Sequence, residues 1–385
     1  MNHKEGNKRE ILHEIAGGFG DVGVFIPLAL ALVIENGFNL RGIFAAAGFF
    51  YIAAGWYFKI PMPVQPLKAM AAIALASGFS QGTVQVAGLM FGFIILALLI
   101  PGAATLLEKL FPLPVIRGIQ LALGIILVRA GLKMAGGDIP LALLAASTLA
   151  FSYFIIKPVP PIIPVLIIGT ALAVFMGRSG VTAPGELSFP TIFSGFQIKG
   201  LLLPLTALVI PQLGLTVGNS IMATIQTAND IFPEKSGKVT VKNVALSIGI
   251  GNIISSMVAG IPMCHGSGGL TAHHRFGGRS NLATAITGGF FLTIALLPSR
   301  FVNPLLFNFP LPFLGIPLVI VGVFHGLLAK EIIIRGKHAT AVIVTALVSV
   351  LTGNLTAGVA IGFIAFTLEE SLSVRLAKKR AIRKN

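Results

Sequence analysis

The chain has 385 residues, of which 55% are hydrophobic and 11% charged, with a formal net charge of +15. A soluble domain carries about 25% charged residues, so this composition describes a polytopic membrane protein. The positive charge does not mark a nucleic-acid binder, because the basic residues sit in short loops and tails rather than on a face interleaved with aromatics. It reads instead as positive-inside topology, with the headgroups of membrane lipids as the contact. The single cysteine, Cys264, excludes an internal disulfide.

The charged N-terminus, MNHKEGNKREILHE, leads straight into an apolar span and lacks a small-residue cleavage pattern. A crossing helix needs about 20 apolar residues. Spans are expected over 15–34, 40–58, 83–107, 113–132, 139–156 and 159–177, with a broken span over 60–80. A polar, proline-containing linker over 178–199 follows, expected to lie along the membrane surface. Spans resume over 201–227, 239–259, 281–298, 311–331, 339–352 and 354–370, with a second broken span over 261–278 and a basic tail over 373–385.

The two halves share landmarks in the same order. Ile-Pro-Met opens both broken spans, at Ile60 and Ile261, and Phe-Pro-Leu-Pro recurs at Phe111 and Phe309. This predicts an all-α polytopic fold of about fourteen spans in two seven-span repeats, residues 1–177 and 200–372. Seven is odd, so the second repeat enters the membrane inverted relative to the first. An even total puts both termini on one side. The basic ends make that side the cytoplasm, and the membrane is expected to be the cell membrane. Few basic residues then fall outside: Arg41, Arg129, Lys133, Arg178, Lys199 and Arg300.

The broken spans carry the chemistry. Pro61, Pro63 and Pro66 forbid a regular helix over 60–66. Pro66 suits the first turn of a new helix, which would start near Gln65 inside the bilayer. Its free N–H groups and positive dipole end favour an anion. Gln65 adds an amide and Lys68, three residues on, a full charge on the same face. The second break, CHGSGGLTAHHRFG, places His265, Gly266, Ser267, Gly268 and Gly269 before another half-helix, where the glycines allow close backbone approach and Ser267 suits an N-cap or a direct donor. Two opposed N-termini of about +0.5 charge each, plus Lys68, suit a compact dianion.

Other readings of these residues stand beside the functional one. Lys68 could snorkel or pair with Asp21; an intramembrane lysine costs about 2.5–3.5 kcal/mol on insertion scales, which favours a functional role. Asp21, in the first span, either carries a coupling proton or balances Lys68. Gln212, Thr216 and Asn219 recur at helical spacing in the span that opens the second half. They line a site or make interhelical hydrogen bonds. His265 beside Cys264 lacks the carboxylates a metal site would add. That pair is also the one candidate for a nucleophile and base, poorly placed as neighbours to act as a dyad. His273, His274 and Arg275 read as a cytoplasmic helix end.

The segments GGFGDVGVFIPLALAL, PMPVQPLKAMAAIA, PQLGLTVGNS and PMCHGSGGLTAHHRFGGRS resemble the signature segments of the molybdate transporter family, which is related to the SulP sulfate permeases. The resemblance implies a fold like the SulP and uracil-permease transporters, with core and gate domains, and molybdate uptake. It implies a substrate site of Gln65, Lys68, His265, Gly266 and Ser267, lined by Asp21, Gln212 and Asn219. No enzyme activity and no cofactor are expected. The expected partners are the oxyanion, a coupling proton and membrane lipids, with a homodimer left open. Transport of sulfate or another oxyanion and an anion channel are the competing functions.

Overall fold

The computed structural model describes residues 3–156, 159–176 and 200–382, so the expected linker over 178–199 lies outside the described residues. The first half begins with His3–Gly18, which passes through a tight turn at Phe19–Asp21 into Val22–Asn36. Leu40–Phe58 follows, then the short strand β1 (Gln65–Pro66), the half-helix Lys68–Ser77, Gln81–Ala97, the short Ala103–Leu110, and Leu113–Ala135, Ile139–Ile155 and Ile162–Phe175. The second half repeats this order. A continuous helical run over 202–231 leads to Val241–Met257, strand β2 (Met263–Cys264), the half-helix Ser267–Arg275, Asn281–Leu296, the short Ser299–Phe307, Pro312–Leu327, Ala339–Thr352 and Leu355–Ile382.

Local chemistry accounts for several boundaries. Prolines at the first turns open both helices that follow the Phe-Pro-Leu-Pro landmarks. Asn39, Ser80, Asp138, Thr240 and Ser280 cap their helices with side-chain oxygens. The helix begun at Gln81 ends at Ala97, and a turn through Pro101 and Gly102, the latter at φ +86°, leads into Ala103–Leu110, so the span expected over 83–107 is two helices. The corresponding region of the second half bends by 100° between Asn281–Leu296 and Phe301–Phe307. The last helix continues through the expected tail to Ile382.

Among the described residues, five helical segments are long and apolar enough to cross a membrane: Glu10–Asn36, Leu113–Ala135, Leu202–Ile231, Pro312–Arg335 and Leu355–Ser373. The bent pair adds a sixth. Other apolar helices, such as Ile139–Ile155 and Ala339–Thr352, run 10–17 residues. Length and apolarity therefore mark fewer crossings than the fourteen expected, because breaks at Pro, Gly and polar residues cut the apolar runs. The surface is that of a chain embedded in hydrocarbon: Trp56, Phe154, Phe175 and Leu351 are all more than two-thirds exposed, an arrangement water would oppose.

The halves interlock. Leu40–Phe58 packs on Asn281–Leu296, Gln81–Ala97 on Val241–Met257, and Leu113–Ala135 on Pro312–Leu327. Each pair is antiparallel and meets at glycines. A Cβ on Gly124 would lie 2.6 Å from the carbonyl oxygen of Gly322, and one on Gly131 would lie 2.6 Å from that of Gly315. Small residues let apolar helices gain van der Waals contact at close range, the main attraction between helices surrounded by lipid.

Candidate functional site

The two breaks meet. Strands β1 and β2 pair antiparallel, with Gln65 opposite Cys264 and Pro66 opposite Met263. The Leu67 N–H extends the ladder to the Pro262 carbonyl at 2.8 Å. This pairing delays the first half-helix: it starts at Lys68 with Leu67 as its N-cap, not near Gln65 as the position of Pro66 suggested. The second half-helix starts at Ser267 with Gly266 as its N-cap, so Ser267 occupies the first turn rather than the cap. Both half-helices thus lead away from one small ladder.

Asn252, fully buried in Val241–Met257, holds β2 in place. Its Oδ1 accepts from Met263 N at 2.9 Å, and its Nδ2 donates to Met263 O at 2.7 Å. Ser255 donates to Ile261 O at 2.7 Å. Replacing Asn252 with Ala leaves two buried backbone groups unpaired at about 1–3 kcal/mol each. Asn252→Ala is therefore expected to lower stability by about 2–6 kcal/mol, read as an earlier thermal unfolding transition in detergent.

A chain of side chains crosses the junction. Lys68 Nζ donates to Gln65 Oε1 at 2.9 Å, and Gln65 Nε2 donates to Asp21 Oδ1. The Tyr51 hydroxyl donates to Asp21 Oδ2 at 3.3 Å. Asp21, Gln65 and Tyr51 are buried, whereas Lys68 is half-buried. Gln65 bridges the two charges, and no direct Lys68–Asp21 ion pair forms among the described residues. The tight turn Phe19–Asp21 leaves the Asp21 side chain out of helix capping and free for these bonds.

The glycines of the second break make room for this chain. A Cβ on Gly266 would lie 2.6 Å from Gln65 Oε1, and one on Gly269 would lie 2.6 Å from both Asp21 Oδ2 and Pro63 Cβ. Gly268 is exposed, with nothing within 4 Å of the same position, and Ser267 is half-buried. His265 is fully buried between Phe50 and Phe58. The Pro63 carbonyl, 2.8 Å from Nδ1, can only accept, so that nitrogen carries a proton, and Nε2 shares a hydrogen bond of 2.9 Å with the Ser247 hydroxyl. Both ring nitrogens are thus engaged within the protein.

Gln212 reaches the junction from the helix opening the second half. Its Oε1 accepts from Ala69 N at 3.0 Å, capping the first half-helix from outside, and its Nε2 donates to Thr216 at 3.1 Å. Around these residues the helix widens into π-helical turns at Leu205–Val209 and Thr216–Met222, and the Ser220 hydroxyl donates to Cys264 Sγ at 3.2 Å. Such turns recur at functional sites. Asn219 lies in the second of them, but its side chain falls outside the described residues. Of the basic cluster read as a helix end, His273 is fully buried with Nδ1 2.7 Å from Gly17 O, while Arg275 is exposed.

Tyr51, Ser247, Ser220 and Asn252 escaped the sequence reading. Asn252 had a usable signal as a polar side chain in an apolar span; the serines and Tyr51 had none.

Paired half-helices joined by a ladder and packed among apolar helices give this chain a membrane-transporter fold. The transmembrane domain of a cyanobacterial bicarbonate transporter, BicA, is similar over 93% of this chain and 97% of its own, at a TM-score of 0.61 and 21% identity. A structure of SLC26A9 is similar over 95% of this chain and 66% of its own, at a TM-score of 0.65 and 16% identity. The chain belongs to the molybdate transporter family: the family described as "Molybdate transporter of MFS superfamily" matches residues 13–127 and 204–324, more than half of the chain. Similar relatives include Molybdate transporter 1 of Arabidopsis thaliana, 28% identical over 93% of this chain and 87% of that protein. Molybdate transporter 1 of Chlamydomonas reinhardtii is 26% identical over 80% and 82%. These relatives are transporters, not enzymes.

Proposed function

We propose that this protein imports molybdate, a tetrahedral dianion, across the cell membrane as a proton-coupled secondary transporter. The observation that carries the reading is the convergence of Lys68, Gln65 and two helix N-termini at one ladder. Lys68 has three N–H donors; one goes to Gln65, leaving two for an oxyanion. Each helix N-terminus adds about half a positive charge. Gly268 and Ser267 border open space on the opposite half-helix and would supply hydrogen bonds there, with Gly266 behind them. His265 positions the break through Pro63 and Ser247, Gln212 and Thr216 fix the first half-helix, and Asn219 completes the lining. Asp21 is the coupling carboxylate: a proton on it removes the negative charge nearest the incoming dianion, so proton and anion favour each other's binding.

The alternating-access frame is two inverted seven-span repeats with both termini in the cytoplasm. The recurring element order and the antiparallel glycine contacts between helices of opposite halves support it. The junction would move with a core domain against a gate built around Leu113–Ala135 and Pro312–Leu327. Proteoliposomes holding the purified protein should take up labelled molybdate when the outside is acidic, and excess sulfate should compete weakly. Equal competition would overturn the assignment to molybdate, and uptake indifferent to the pH gradient would overturn proton coupling.

A further inference from the structure

A second feature bears on how an anion reaches the junction. A cavity of about 400 Å³ lies between the first half-helix and the helix facing it, Leu113–Ala135. Ile73 and Ser77 line it from the half-helix and Arg129 and Lys133 from the facing helix, and Glu35 and Leu355 line it as well. Glu35 lies at the far end of the helix that starts near the N-terminus, and Leu355 begins the last helix. The cavity therefore lies on the face opposite the chain ends. Ile73 stands five residues beyond Lys68, about 7.5 Å along the half-helix at 1.5 Å per residue.

Its charges call for a reason. Basic residues are disfavoured on the outer face of membrane proteins. Of the outward basic positions, Arg178 and Lys199 lie outside the described residues, as does the side chain of Arg300. Arg41 is held by Leu297 O and Ser299 Oγ, both at 3.2 Å. Arg129 and Lys133 differ: spaced by four on one helix face, both line this cavity, and Glu35 forms no salt bridge with either. The carbonyl end of the half-helix, which disfavours an anion, also borders the cavity; Asn36 Nδ2 donates there to Ala74 O at 2.9 Å and, just beyond the helix, to Phe79 O at 3.2 Å, and Arg129 and Lys133 supply the positive charge that offsets this end. At ~30 Å³ per water the space admits about a dozen waters, enough for a hydrated ion.

We propose that this cavity is an outer capture site for divalent tetrahedral oxyanions, in which Arg129 and Lys133 concentrate the hydrated ion before it sheds water at Lys68 and Glu35 tempers its retention. The proposal rests on the transport reading above. Like-signed charges lining a cleft raise the local concentration of an oppositely charged substrate and its on-rate, and salt screens the effect.

The test is whole-cell uptake of labelled molybdate, at concentrations well below saturation, in low and high salt. R129Q/K133Q should cut uptake about three- to tenfold in low salt, leave the maximal rate unchanged, and converge with wild type in high salt. Glu35→Gln should raise uptake in low salt, a sign that a packing role would not produce. Wild-type uptake with all variants unchanged in low salt would overturn the capture site and leave transport standing. Loss in R129Q/K133Q that is equal at both salt concentrations would also overturn it, as a packing effect. No uptake by wild type would overturn the transport reading and the capture site together.

Discussion

Lys68→Ala is expected to weaken molybdate binding by at least about 100-fold, near 3 kcal/mol, while the protein stays folded. Removing one partner of a desolvated charge pair costs about 2–5 kcal/mol, much of it the cost of leaving the other charge unpaired. Here the other charge is the dianion itself. Stability should fall by only about 1 kcal/mol, because the partner lost within the protein is Gln65 Oε1, beside a half-buried position that water reaches. Lys68→Arg should recover part of the affinity: it keeps the charge but replaces a compact ammonium with a planar fork. Calorimetry on the purified protein reads both numbers. Retained affinity in Lys68→Ala would remove the residue from the site and favour a lysine that merely snorkels.

The second large effect is steric. Gly269→Val places carbon where the structure already has Asp21 Oδ2 and Pro63 Cβ, both 2.6 Å from the new Cβ. Asp21 is buried and tied to Gln65 and Tyr51, so it cannot yield without breaking those bonds. Overpacking of this kind costs about 1–3 kcal/mol, and the displaced carboxylate adds to it. Gly269→Val should unfold earlier in detergent and lose uptake. Gly268→Ala, one residue away and facing open space, should unfold like wild type. A Gly269→Val protein with wild-type stability and uptake would mean that the second break does not press against Asp21.

The sequence-based reading and the structure agree best where covalent geometry governs. Prolines at 61, 63 and 66 interrupt any helix, and the glycines at 266, 268 and 269 marked the second break although the last two go into the half-helix that begins at Ser267, so both breaks were visible, as was Lys68 one turn from Gln65. Boundaries were less visible where tertiary bonds compete with local preference. Pro66 favours a helix start, yet Gln65 and Pro66 go into a ladder with residues almost 200 positions away, and the helix waits for Lys68. The span expected over 83–107 was read through Pro101, because apolarity outweighed a turn signal that the backbone obeys.

By itself, then, the sequence determined the class and the polarity of the site: a membrane-embedded chain, two interrupted spans in matching places, and a lysine where a helix N-terminus faces inward. These follow from composition, proline chemistry and charge, which act locally. Only the tertiary structure decided who partners whom. It spends both nitrogens of His265 on Ser247 and the carbonyl of Pro63, 202 residues away, turns Gln212 into a cap for the opposite half's helix, and inserts Gln65 between Asp21 and Lys68. Such assignments depend on which buried donors and acceptors the packing leaves facing one another. An unpaired polar group in an apolar interior costs several kcal/mol, so packing favours arrangements in which buried groups meet partners, and no local pattern in the chain says which.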